Sequence, residues 1–269
     1  MQTSRSRSPS RASSASCFVV SPHLDDAVFS CGMLLASRPG AVVCTVFCGA
    51  PEPPLQTSWD TSGGHRDSSE AMRARIAEDD RALSIVGARA IRLPFFDSQY
   101  GATPTVDEVA RAVGDAWRSS GAAMLVAPLG LHHSDHILVS DACRLLIRRE
   151  GLAQALVYED AIYRTRPGAA RFRCEALAAQ GWRFERFEPF EPFEPHAPPR
   201  SLHSADALED QGRTQRHPAA ANAKWRAVHA YRSQLRAFAD PHPHDLSEPE
   251  RYKRLIPNRA AGRVRSIRH

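Results

Sequence analysis

The sequence predicts an α/β protein with a Rossmann-like, mostly parallel sheet flanked by helices, and three observations predict it. Apolar runs of strand length alternate with segments of helix length. The segments between successive runs have room for a helix, as right-handed βαβ crossovers require. The run Ala41-Val42-Val43-Cys44-Thr45-Val46-Phe47-Cys48 is nearly continuous rather than alternating, the pattern of a strand covered on both faces.

The elements follow in order. A first strand is expected over 17–21 and a first helix over 26–36, with Asp25 or Asp26 suited to its N-cap. The second strand spans 41–48. The stretch 51–65 is a loop rich in Pro, Ser, Thr and Gly, long enough to border a site. Helix resumes by Ser69 and ends at Val86-Gly87. A strand over 90–96, a helix over 106–119, a strand over 122–127, a helix over 135–149 and a strand over 155–158 continue the alternation. The pattern breaks at Phe187-Glu188-Pro189, repeated as Phe190-Glu191-Pro192 and Phe193-Glu194-Pro195. Three copies are too few for a solenoid and proline is excluded from a central strand, so a Pro-rich surface excursion is expected over about 185–200. Helical period over 219–239 predicts one C-terminal helix packed back on the core. The expected organisation is a disordered leader over 1–15, one domain over 16–240 and a basic tail over 241–269.

With 42% hydrophobic and 24% charged residues among 269, the chain has an ordinary globular balance and the length for one buried core. No stretch approaches the ~18–20 apolar residues of a membrane span, and the first residues lack the apolar middle of a secretory signal. The net charge of +5 raises the question of an anionic partner. Much of it is peripheral: Arg5, Arg7 and Arg11 lie in the Ser-rich leader, and Arg259, Arg263, Arg265 and Arg268 crowd the C-terminus. Specific nucleic-acid binding is therefore not expected. Six cysteines without a Cys-x-x-Cys pair point to a reducing compartment, and a cytoplasmic location is expected. Cys44 and Cys48 read as small buried apolar groups on one face.

Chemistry concentrates in two clusters. Pro22-His23-Leu24-Asp25-Asp26 follows the run Phe18-Val19-Val20, and His132-His133-Ser134-Asp135-His136 follows Met124-Leu125-Val126-Ala127. In open α/β sheets ligands gather at the carboxyl ends of the strands, so both clusters open on one edge. Alone, an Asp-Asp pair at a helix start is a cap, and His-x-x-His is a surface pair. Together they supply what a catalytic divalent metal takes: three imidazole or carboxylate ligands and one position left for water or substrate. His23 and Asp26 come from the first cluster and the third ligand from the second. His133 and His136 share a face, so one can ligate while the other points at substrate. Asp25 is left beside the metal, which suits a general base.

Ser21-Pro22-His23-Leu24-Asp25-Asp26 and His133-Ser134-Asp135-His136, in this strand context, resemble the LmbE-like or PIG-L family of zinc-dependent N-acetylglucosaminyl deacetylases. The similarity covers 17 to about 163, with an echo in Ala230-Tyr231-Arg232-Ser233-Gln234, where the family often has a Ser-Gln pair on its last helix. The resemblance implies one zinc ion per chain held by His23, Asp26 and His136, with Asp25 as general base. It implies His133 as a cationic partner of the oxyanion or leaving amine, and Asp135 as a carboxylate orienting a neighbouring imidazole. Some members place a Tyr just before the second motif to polarise the amide. Leu131 and His132 stand there in this chain, leaving His133, the metal or a loop residue to take the part.

Arg75, in Arg75-Ile76-Ala77-Glu78, and Asp97, at the end of the third strand, are similar to family residues that contact the sugar. Read alone, they are half of a solvated helical pair and a turn cap. Tyr158-Glu159-Asp160-Ala161-Ile162-Tyr163 resembles a segment of many bacterial members, in which Glu159 or Asp160 supports the metal shell or the pocket wall, or simply closes a strand. Asp240-Pro241-His242-Pro243-His244-Asp245 reads as a Pro-rich loop, because its prolines separate the imidazoles. The expected function is removal of an acetyl or other acyl group from the amine of an N-acylated amino sugar or glycoconjugate. The alternatives are another single-metal hydrolase such as a phosphoesterase, and a noncatalytic sugar- or nucleic-acid-binding module using the basic ends.

Overall fold

Strand β1 (Cys17–Ser21) pairs in parallel with β2 (Val42–Thr45) on one side and β4 (Met124–Pro128) on the other. The computed structural model describes residues 16–187, 218–238 and 244–258. Outward from β2 lies β3 (Arg89–Arg92), and outward from β4 lie β5 (Ala155–Tyr158), β7 (Tyr252–Pro257) and β6 (Trp182–Phe187). The order β3-β2-β1-β4-β5-β7-β6 is parallel through the first five strands and antiparallel at β5–β7 and β7–β6. The chain steps outward from β1 to β2 and β3, then returns to place β4 on the opposite side of β1. Such a reversal leaves a crevice at the carboxyl ends of the two inner strands.

The helices are α1 (Asp26–Ala36), α2 (Ser58–Ser62), α3 (Ser68–Val86), α4 (Val106–Ser120), α5 (Ser134–Arg149), α6 (Ala169–Ala179), α7 (Pro218–Val228) and α8 (Arg232–Ala237). Alternate residues of β1 enter opposite layers: Cys17 and Val19 pack with α1, α3 and α7, while Phe18 and Val20 pack with α4 and α5. Every β1 residue is therefore buried. Local chemistry sets the helix ends. The Asp67 side chain accepts from Glu70 N at the start of α3, and Gly87, at φ 70°, closes it; a Thr105–Glu108 capping box opens α4. All six cysteines are free; Cys44 is buried and Cys48 only half-buried. No helix among the described residues is long and apolar enough to cross a membrane.

The structure corrects several expectations. The strands expected over 41–48 and 90–96 are shorter; beyond them only isolated bridges, Phe47 with Pro94 and Gly49 with Phe96, link the chain. The loop 51–65 contains α2, capped by Thr57. The single helix expected over 219–239 is two, broken at 229–231. Part of the stretch expected as a tail, 241–269, is strand β7, inserted between β5 and β6. Its basic residues are not solvated ends: Lys253 pairs with Glu159, and the Arg254 guanidinium lies 4.8 Å over the Phe187 ring while Leu255 is buried. Helix α6 and strand β6 were not expected; α6 buries only Leu177, and β6 buries only its ends, Trp182 and Phe187. The leader, the Phe-Glu-Pro copies beyond Phe187, residues 240–243 and the arginines beyond 258 lie outside the described residues.

Candidate metal centre

The first turn is fixed by its own side chains. Ser21 Oγ donates to His23 O (2.5 Å) and accepts from Ala27 N (2.9 Å), while Asp26 Oδ2 accepts from His23 N (2.8 Å). Asp25 occupies the N-cap of α1, yet its side chain makes no capping hydrogen bond. The expected N-cap position is thus observed, while the carboxylate is buried without capping duty. The second turn is bound to β5: Asp160 Oδ2 accepts from Gly130 N (2.9 Å) and Leu131 N (3.1 Å), and the His133 imidazole caps α5 by accepting from Asp135 N at Nδ1 (3.2 Å).

The two turns meet. Asp26 Oδ2 lies 3.2 Å from His23 Nδ1 and 3.2 Å from His136 Nε2, and the two imidazole centroids are 5.4 Å apart. One donor atom from each of His23, Asp26 and His136 falls within 4.8 Å of the others. Each imidazole is gripped from behind by a carboxylate: His23 Nε2 by Asp135 Oδ2 (3.1 Å), His136 Nδ1 by Asp160 Oδ1 (2.7 Å). Asp135, expected to orient an imidazole, thus holds His23. Asp160 matches it for His136, a pairing that depends on β5 lying beside β4.

Charge is strongly skewed here. Burial alone would lower the pKa of His136, but Asp26 and Asp160 overcome it and push it up to about 9. His23 is likewise driven well above its ordinary value against its burial, by Asp97, Asp135 and Asp26. Asp26 is held well below the carboxylate range despite burial, chiefly by His136 and His23. Asp25 is pushed up to about 6, first by burial and then by Asp26, with Arg75 and His23 opposing. His133 is lowered by burial, then by the charges of His23 and His136. His133 Nδ1 accepts from the Asp135 backbone amide, which leaves Nε2 as the ring nitrogen free to carry a proton toward the site.

A divalent cation fits this donor set. His136 Nε2 is buried with no hydrogen-bond partner, because Asp160 has claimed the other ring nitrogen and fixed the tautomer. A pKa of about 9 puts a proton on that nitrogen opposite Asp26 Oδ2, and a divalent cation would take the proton's place between the carboxylate and the two imidazoles. The other donor grouping, His23, His133 and Asp135, is already satisfied: the Asp135 amide takes His133 Nδ1 and its carboxylate takes His23 Nε2.

The remaining expected residues sit close by. Arg75 is 3% exposed, with Nε and Nη1 unpartnered and Nη1 3.9 Å from Asp97 Oδ2; the solvated-pair reading fails. Its helical neighbour Glu78 instead accepts from Ser233 N (2.9 Å) and Ser233 Oγ (2.7 Å), which gives the Ser-Gln echo a contact. Asp97 does cap a turn, accepting from Gln99 N and Nε2 (both 3.1 Å), and also lies 3.7 Å from His23 Nε2. Sequence reasoning missed Asp60, buried and bonded by Tyr100 Oη (3.0 Å), one of the carboxylates that act on Arg75. It left Tyr163 unassigned, although its ring packs against His136 at 5.0 Å.

Residues 18–147 match the PIG-L family, described as GlcNAc-PI de-N-acetylase. No curated protein sequence matches the chain. Among solved structures, a triple mutant of a deacetylase of the teicoplanin biosynthetic pathway shares the fold at 23% identity, covering 90% of this chain and 97% of its own, with a TM-score of 0.66. The zinc-inhibited form of teicoplanin deacetylase superposes at TM-score 0.66 with 20% identity, over 90% of this chain and 98% of that one. N,N′-diacetylchitobiose deacetylase from Pyrococcus horikoshii does so at 0.50 with 14% identity, over 90% and 84%. Both motifs lie within the residues 18–147 that match the PIG-L, or LmbE-like, family, and they meet at the carboxyl edge of a fold shared with these deacetylases.

Proposed function

We propose that the protein is a zinc-dependent deacylase that removes an acetyl or related acyl group from the nitrogen of an amino sugar or glycoconjugate. One observation carries this reading: Asp26 Oδ2 stands 3.2 Å from a nitrogen of each of two imidazoles, one of them buried and unpartnered. The family match and the names of the solved relatives, deacetylases acting in teicoplanin biosynthesis and on diacetylchitobiose, support the reaction class over a phosphoesterase or a binding module. His23, Asp26 and His136 would hold a divalent ion, which when bound would supply the Lewis acidity to acidify water and polarise an acyl carbonyl.

The chain's own residues do the rest. Asp25, free of capping and pushed up to about 6, takes the proton of the attacking water and returns it to the leaving nitrogen. His133 presents Nε2–H as a hydrogen-bond donor to the acyl group. Asp135 and Asp160 keep His23 and His136 oriented. Arg75 and Asp97, beside Asp25 and His23, contact the sugar. Acetate release from a panel of N-acetylated sugars and glycoconjugates, with and without a chelator, tests the proposal. Metal-dependent release is expected; release that survives complete metal removal would overturn it.

A further inference from the structure

A phenol reaches the site from the segment that follows β5. The Tyr163 ring meets His136 edge to face (5.0 Å, 86°) and lies 6.1 Å from the His133 ring. It therefore touches both a candidate ligand and a candidate donor. The chain has five tyrosines. Four hydroxyls are committed: Tyr100 to Asp60, Tyr158 to Val20 O, Tyr231 to Asp79 and Tyr252 to Glu250. Among the described residues only the Tyr163 hydroxyl has no hydrogen-bond partner, and the ring is half-buried rather than solvated. After burial itself, the groups that oppose its ionisation are Asp26, Asp25, Asp160 and Asp97, which sets the phenol among the carboxylates of the site.

The backbone holds Tyr163 there at a cost. Ile162 takes φ 75°, ψ −46°, a left-handed conformation that a β-branched residue resists. Its neighbours enforce it: Ile162 N donates to Asp245 Oδ2, Arg164 Nε to Asp245 Oδ1 (2.6 Å), Arg164 N to Asp160 O (3.0 Å) and Ala161 N to Ser30 Oγ (3.1 Å). Strain held this firmly, one residue before a ring that faces a reactive centre, is the pattern of a positioned functional group.

We propose that Tyr163 is a catalytic residue whose phenol O–H donates a hydrogen bond to the acyl oxygen as that oxygen gains negative charge. The proposal rests on the deacylase reading above. As water attacks, the new C–O bond forms, the carbonyl π pair moves onto oxygen and the water proton passes to Asp25. On collapse the carbonyl re-forms, the C–N bond breaks and the nitrogen takes the proton from Asp25. Tyr163 keeps its proton throughout and, with His133 Nε2–H, forms a two-donor oxyanion hole.

The test is Tyr163→Phe, which keeps the ring and removes only the hydroxyl. With an N-acetylated sugar turned over by the wild-type protein, kcat is expected to fall about 10²–10³-fold with KM nearly unchanged, the usual loss for one oxyanion donor. Zinc stoichiometry is expected to stay at the wild-type value. Binding of a tetrahedral phosphonamidate analogue of the same sugar is expected to weaken, while binding of the N-acetyl sugar itself is not. Wild-type kcat in the variant, or equal affinity of both proteins for the analogue, would overturn the role of Tyr163 and leave the deacylase reading intact. Loss of zinc in the variant would also overturn it, in favour of a packing role. A zinc-loaded wild-type protein that deacylates nothing in the panel overturns the deacylase reading and Tyr163's role with it.

Discussion

Two buried charge clusters of this protein look alike in composition and differ in whether they are complete. Glu250, 4% exposed, accepts from Met33 N (2.8 Å), Leu34 N (3.2 Å) and Tyr252 Oη (2.6 Å) and pairs with Lys224 Nζ (3.0 Å). Its oxygens are fully used, and even the Lys224 stem is fitted: a Cβ at Gly32 would stand 2.6 Å from Lys224 Cγ. At the carboxyl edge of β1 and β4, by contrast, Asp26, Asp97, Asp135 and Asp160 crowd two imidazoles and still leave His136 Nε2 unpartnered. A charge cluster that serves the fold closes on itself, because an unsatisfied buried group costs stability with nothing in return. One that serves a ligand is left short by the partner it awaits.

The comparison can be broken or sharpened by substitution. The largest effect is expected from His136→Ala, which removes the unpartnered donor: bound zinc, read by elemental analysis, and acetate release should both be lost. Asp25→Asn should lower kcat about 10²–10⁴-fold with zinc content and thermal unfolding unchanged, since this carboxylate neither ligates nor caps. Asp160→Asn should weaken zinc affinity about 10–100-fold in a chelator competition, because the amide no longer enforces the same His136 tautomer. Glu250→Gln should spare zinc binding altogether and cost about 3–5 kcal/mol in denaturant unfolding, through the uncompensated Lys224 charge. Zinc loss in that last variant would erase the distinction between the clusters.

What the sequence disclosed follows the same divide. His23 and Asp26 share one turn, His133 and His136 another, and each turn follows a parallel strand that is plainly apolar; local spacing carries that information. The five parallel strands were legible for the same reason. Asp160 was not separable from a strand-end residue, because its task exists only when β5 lies beside β4 and its carboxylate reaches the second turn. Strand β7 hid behind Lys253 and Arg254, whose partners, Glu159 and Phe187, lie far away in the chain. Arg75 and Glu78, four positions of helix that spacing alone casts as a surface pair, are both buried and serve different neighbours. Long-range pairing decides these cases, and spacing carries no trace of it.

Calorimetric titration of metal-stripped protein with zinc tests the central claim most directly. One ion taken up per chain by the wild-type protein, and none by His136→Ala, is the result predicted. No uptake, or uptake that His136→Ala leaves unchanged, would contradict the assignment of the His23–Asp26–His136 cluster as the metal site.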